Sequence, residues 1–284
     1  MERASAHRLA DGRLHLSHGP IDLVISAEGA ADAVTVAEAA ATARFATILA
    51  ELAAELPALR TAGGIGASPV GARMTRAVAP HTAFVTPMAA VAGAVADEVL
   101  VAMIAAAPLT RAIVNNGGDI ALHLAPGTKA DARIALGDGS TAGHIAISAG
   151  DGIGGIATSG RHGRSLSLGI ADSVTVLAPR AAEADAAATL IANAVDLPGS
   201  PAIIRTPANL LDPDSDLGTR PVTTAVGPLS RAEVAEALER GASAAREMQA
   251  EGLIAATALI LAGEGRTVGT FLNFPIITQG NPDR

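Results

Sequence analysis

The chain has 284 residues, 49% of them hydrophobic, enough apolar material for one large domain or two of ordinary size. A formal net charge of −8 without any run of Lys or Arg excludes a nucleic-acid binder that works by displacing counterions from phosphates. The absence of Cys removes disulfides, thiolate catalysis and Cys-based metal sites, and the absence of Trp and Tyr, with only four Phe, leaves few partners for stacking on a ligand ring.

The first residues, "MERASAHRLADGR", are charged and lack the apolar run of a signal peptide, so the expected location is the cytoplasm. "HLSHGPIDLVISAE" alternates and predicts a hairpin that turns at Gly19–Pro20. Ala33 to Leu56 is Ala-rich with helical spacing, and the Gly and Pro of "LPALRTAGGIGASPVG" then mark a loop. Residues 77–96 carry no charge and could span a bilayer by length, but Pro80, His81 and Pro87 interrupt them and Asp97–Glu98 close them. The reading is a strand or loop followed by a buried helix, with no membrane partner. Thr86 and Pro87 suit an N-cap and a first helical residue, and the helix "MAAVAGAVADEVLVAMIAAA" ends before Pro108.

Four strand-like runs follow: "RAIVN", "DIALHLA", "ARIALG" and "AGHIAISA". A glycine-rich stretch, "GDGIGGIATSGRHG", precedes a further run, "SLGIADSVTVLA", and Pro179–Arg180 lead into the helix "AAEADAAATLIANAV". "LDPDSDLGTRP" is a polar connection, Ser230 to Glu233 has capping-box spacing at the start of a long helix, and "LIAATALILAG" and "TVGTFLNF" read as final strands. Short links between strands argue for antiparallel or mixed pairing, because parallel strands need crossovers. The expected fold is α+β: one domain over residues 1–284, built as two lobes of sheet and helix.

Several stretches could carry chemistry. In "IVNNGGDIALHL", Asn116–Gly117 is a strong hairpin signal, yet two glycines before an acid also expose bare N–H groups to a ligand, so Asn116, Gly117, Gly118 and Asp119 are candidates for nucleotide binding. "GDGIGG" matches the dinucleotide-binding pattern, but "IATSGRHGRS" follows it without a helical period, which argues against that unit. Thr158, Ser159 and Gly160 set two hydroxyls beside a glycine, as a phosphate contact or a polar turn. Asp185 and Thr189 share a helix face four residues apart; a carboxylate above a hydroxyl suits Mg2+, which binds through one or two carboxylates, or else it is a solvated acid beside a packed Thr. No H-x-x-x-H occurs; His123 and His144 read as surface or satisfied core residues, and His162 is a candidate acid or base.

In this order, "MAAVAGAVADEV", "IVNNGGDI", "IATSG" and "ADSVTVLAPRAAEADAAATL" resemble the ApbE superfamily of FAD:protein FMN transferases, and the residues around "GPIDLVIS" and "TPMAAVAGAVAD" look closer still to its shorter, poorly characterised branch. The resemblance covers roughly Thr86 to Val195. It implies a T-fold-like architecture and a site that binds FAD and Mg2+, from which FMN passes to a Thr hydroxyl of a flavoprotein acceptor. It places the metal on Asp185, near Thr189, with the carbonyl of Ala92 as third ligand, and it lines the nucleotide pocket with "NNGGD" and "TSG". The chain departs from the family in three places. The His-x-x-Asp-Pro-x-Thr-Gly segment that carries the usual general base is absent, Gly93 stands where the helix motif has Lys or Gln, and no Tyr exists to stack on flavin. Three functions follow as alternatives: a Mg2+-dependent transferase or pyrophosphatase acting on FAD, a non-catalytic flavin- or nucleotide-binding protein, and an enzyme of the same fold with another small substrate. An apolar, Ala-rich chain of this kind is also expected to self-associate as a homo-oligomer.

Overall fold

The computed structural model describes residues 3–135 and 141–270. Two compact units result: Met1–Ala130 with Ile147–Ala157 and Leu177–Ala186, and Asp131–Ala146 with Thr158–Val176 and Ala187–Arg284. The architecture is α+β with mainly antiparallel strands, as the short connections predict.

In the first unit the expected hairpin is β2 (Leu14–His18) and β3 (Ile21–Glu28), which turn at Gly19 with φ 57°. Strand β1 (Ser5–Arg8) pairs with β2, and β4 (Arg111–Asn116) joins β3 to β5 (Asp119–Leu124), every pair antiparallel. Strand β8 (Gly155–Ser159) lies beside β5 through Ile120↔Ile156 and Ala121↔Gly155. Helices α1 (Ala31–Leu59), α2 (Pro69–Val78) and α3 (Val91–Ala106) bury Phe45, Ile48, Met74, Val99 and Met103 against Leu16, Leu23 and Ile25. Helix α1 and the segment Pro87–Ala106 are long and apolar enough to cross a membrane by length and composition alone, and here their buried faces belong to this core.

The loop expected over Leu56–Gly71 is shorter than its Gly and Pro suggest. Helix α1 continues through Pro57 to Leu59, and α2 starts at Pro69 because the Ser68 hydroxyl caps it, accepting the Gly71 N–H at 3.0 Å. Between them Glu55 accepts the Ala67 N–H at 2.6 Å and the Ser68 N–H at 3.1 Å. The Thr86–Pro87 start is a 3-10 turn, Pro87–Ala90, that runs into α3 without a side-chain cap from Thr86.

In the second unit β9 (Ser173–Ala178), β12 (Ala256–Leu261) and β13 (Glu264–Val268) are neighbours in that order. Helix α6 (Arg231–Ala250) opens with the expected capping box on Ser230 and Glu233. Strands β6 (Lys129–Ala135) and β7 (Thr141–Ser148) form a separate pair. So do β10 (Ile203–Pro207) and β11 (Pro221–Val226), which flank the expected polar connection with α5 (Ala208–Leu211). Helix α4 (Ala181–Ala194) and strands β6, β7, β8 and β9 contribute residues to both units. Of the last expected strand, Thr267 and Val268 lie in β13, while Phe271 to Phe274 lie outside the described residues.

The β12–β13 turn holds Ala262 at φ 49° and Gly263 at φ 78°. A two-residue turn with both φ positive matches strand twist but is costly for alanine. Asp172 holds it by accepting the Ala262 N–H at 2.7 Å. Ala262→Gly keeps that bond and removes the Cβ conflict. It is expected to stabilise the protein by roughly 0.5–1 kcal/mol, read as a rise in Tm on thermal unfolding; an unchanged or lower Tm would show the turn to be unstrained.

Candidate functional site

Two helix starts meet inside the first unit, and each is capped by an acid from the other helix. The first N–H groups of a helix lack partners within it. At the start of α4, the N–H groups of Ala181 and Ala182 are accepted by the two carboxylate oxygens of Asp97 on α3, each at 3.0 Å. At the start of α3, the N–H of Gly93 at 3.0 Å, together with that of Ala92, is accepted by Asp185 on α4. The exchange needs the two backbones in contact. A Cβ on Gly93 would lie 2.3 Å from the Ala181 carbonyl oxygen, and a Cβ on Gly155 would lie 2.2 Å from the Ala181 nitrogen. No Lys or Gln side chain fits at position 93 in this arrangement.

The "NNGGD" stretch closes the same region. Asn116 pairs with Asp119 at the end of β4 and β5, so the turn is Gly117 (φ 65°) and Gly118 (φ 115°), one residue later than the Asn–Gly signal suggests. Two glycines supply both positive-φ positions, which leaves Asn116 in the strand. Its buried side chain donates to the Ala92 carbonyl at 3.0 Å, while Asn115 accepts the Gly118 N–H at 2.8 Å. Gly117 and Gly118 are exposed.

The two capping acids differ in their surroundings. Burial pushes both carboxyls above the usual range. For Asp97, hydrogen bonds from Ala182 and Ala181 and the charges of Arg73 and Arg180 oppose that rise. Asp185 is pushed well above the ordinary value, first by burial and then by the charge of Asp119, against only the N–H groups of Gly93 and Ala92. A carboxylate whose ionisation is opposed by burial and by a second carboxylate is a donor set that a divalent cation would relieve. Among the described residues no three His, Asp or Glu side chains could hold a metal together, so a cation here would use the carboxylate pair and backbone or solvent oxygens. The Ala92 carbonyl already accepts the Asn116 side chain, and its second lone pair is the one an ion would use. Thr189 follows Asp185 by one turn of α4, half-buried, in the part of the helix that belongs to the second unit.

The remaining predicted residues also belong to the second unit. The Thr158 hydroxyl shares a 2.9 Å hydrogen bond with that of Thr175. Ser159 is half-buried, and Gly160 is glycine for space: a Cβ there would lie 2.4 Å from the Asp172 carbonyl oxygen. His162 is exposed, with Nε2 3.2 Å from Asp172, whose carboxylate also accepts from Arg161 and Ala262. The glycines of "GDGIGG" likewise have structural explanations. Gly150 and Gly152 take positive φ in the turn after β7, and Gly154 and Gly155 make room for Pro179, Arg180 and Ala181.

Asp97 is the residue that sequence reasoning missed. Its signal was present: a buried acid in the middle of an apolar, Ala-rich helix needs hydrogen-bond partners. Nothing local names those partners, which lie 84 and 85 residues away.

Comparison with known proteins adds three findings. The family model described as "AbpE bacteria" matches residues 6–267. A "UPF0280 protein" of Methanopyrus kandleri is 41% identical over 129 residues, 45% of this chain and 50% of its own length, and one of Methanothermobacter thermautotrophicus is 38% identical over 122 residues, 42% and 46% respectively. The chain thus spans about half the length of the curated relatives it matches. A solved structure named "Flavin Transferase ApbE from Vibrio cholerae" is 13% identical with a TM-score of 0.44, over 95% of this chain and all of that one.

Proposed function

The chain belongs to the AbpE bacteria family, and from that premise we propose that it acts on a flavin nucleotide, FAD or a close relative, with a divalent cation at Asp185. The observation that carries this reading is the carboxylate pair: the like charge of Asp119 pushes the half-buried Asp185 further up, where arginines oppose the rise at Asp97. Asp185 and Asp119 would hold Mg2+, with Thr189 one turn along α4 and the Ala92 carbonyl as further oxygens. When bound, Mg2+ would neutralise charge on the pyrophosphate oxygens of the nucleotide. Asn116 would fix the Ala92 peptide, and the exposed Gly117 and Gly118, with no side chain in the way, would let the anionic ligand approach the backbone. Thr158, Ser159 and Gly160 remain candidate nucleotide contacts, and His162 the candidate proton carrier. The expected products are AMP and FMN, the latter passed to an acceptor flavoprotein or to water, in the cytoplasm.

The missing His-x-x-Asp-Pro segment and the lack of Tyr favour a second reading, a flavin-binding protein without turnover. One experiment separates the two. The purified protein is incubated with FAD and Mg2+, and AMP and FMN are assayed beside Asp185→Ala. AMP that appears only with Asp185 intact supports the enzyme; FAD binding without AMP supports the binding protein; no FAD binding by calorimetry sinks both. Asp119→Asn is expected to weaken the Mg2+ dependence of FAD binding, whereas unchanged binding would reduce "NNGGD" to a turn.

A further inference from the structure

We infer that Asp97 is the positioning residue of the site: it fixes Asp185 from the opposite helix, an inference that rests on reading Asp185 as the cation ligand. The two acids form a closed exchange. Asp97 on α3 takes the N–H groups of Ala181 and Ala182, which sets the first turn of α4, and Asp185 stands on the next turn. Asp185 takes the N–H groups of Gly93 and Ala92, and the Ala92 carbonyl is in turn held by Asn116. Helix α3 has no side-chain cap of its own, since its N-cap residue is Ala90.

A local Ser or Asp would satisfy a helix start at lower cost than a buried carboxylate drawn from another helix. What the long-range arrangement adds is register. Sliding α4 along α3 breaks the bonds at both starts together, and the backbone contact at Gly93 leaves no slack for it. The hydrogen bonds of Asp97 go to Ala181 and Ala182, and its charge also acts on Asp185, in the same sense as that of Asp119. Asp97 lines a cleft on the α2 side with Arg73, Arg76, Arg180 and Glu183, and Arg73 and Arg180 offset its charge. Its hydrogen bonds act through the position of Asp185, and Ala182→Pro, which keeps the Asp97 charge, separates that route from its charge.

The test compares Asp97→Asn with Ala182→Pro, which deletes one donor to Asp97 at a helix position where proline is tolerated. Met103→Ala, buried in the same helix, is the control for lost stability alone. Hydrogen exchange at the Gly93 amide reads the Gly93–Asp185 bond without any ligand. It is expected to speed up by roughly 10-fold in both test variants and to stay at the wild-type rate in the control. The Mg2+ concentration that half-saturates AMP release from FAD is expected to rise about 10-fold or more, with kcat at saturating Mg2+ changing less. An unaltered Gly93 rate in Asp97→Asn and Ala182→Pro, or an equal rise in Met103→Ala, overturns the inference. Wild-type protein that neither binds FAD nor releases AMP would remove the flavin reading instead, while the Gly93 rate would still decide whether Asp97 sets Asp185.

Discussion

Asp185→Asn is expected to raise the Tm of the metal-free protein near neutral pH and, in the same molecule, to cut Mg2+-dependent AMP release by roughly 100-fold or more. Asparagine keeps an acceptor oxygen for the Gly93 N–H, so the α3 cap survives. What it removes is a half-buried negative charge on which Asp119 acts as a like charge. The pH dependence follows from the direction of the shift. The folded-state pKa of Asp185 lies above its unfolded value, so between the two the folded protein binds more protons, and stability falls as pH rises through that window. Wild-type Tm should therefore decline above about pH 4, where an unfolded aspartate ionises, and the variant should decline less. Added Mg2+ should reverse the ranking, because a cation that binds only the folded state stabilises wild type and not the variant. Thermal melts over pH, with and without Mg2+, check this directly. A variant less stable than wild type without metal, and equally responsive to Mg2+, would make Asp185 a helix cap and nothing more.

How far the sequence could be read depended on the range of the physics behind each signal. The turn at Gly19, the capping box on Ser230 and the β4–β5 hairpin are local, and neighbouring residues announce them. Asp185 drew attention because an acid and a hydroxyl one turn apart on an Ala-rich helix stand out by period alone, whereas its hydrogen bond to the start of α3 had no local signal. Asp97 was not, because its role is set by N–H groups from a distant helix start. "GDGIGG" suggested a phosphate loop for a related reason: glycine that frees the backbone for a ligand and glycine that lets two backbones pack spell the same letters. Its Gly154 and Gly155 turned out to be the second kind. The strands β10 and β11 carry too little alternation to rise above the polar connection between them.

The largest loss of stability is expected from Gly93→Ala. The new methyl would lie 2.3 Å from the Ala181 oxygen, 2.4 Å from the Ala181 carbonyl carbon and 2.7 Å from the Ala182 nitrogen. All three are backbone atoms of the first turn of α4, so no rotamer change clears them, and the helix itself has to back away. Overpacking of this kind costs roughly 3 kcal/mol, about 10 °C in Tm for a domain of this size. The same retreat pulls Asp185 from the Gly93 N–H and Ala181 from Asp97, so the Mg2+ response should vanish along with the stability. Gly265→Ala is the matched control, since its nearest contact is the Leu259 oxygen at an ordinary 3.5 Å and its Tm should stay near wild type. If Gly93→Ala melts with the control and still responds to Mg2+, then α4 moves over α3 at little cost, and neither acid can be said to hold the other helix in register.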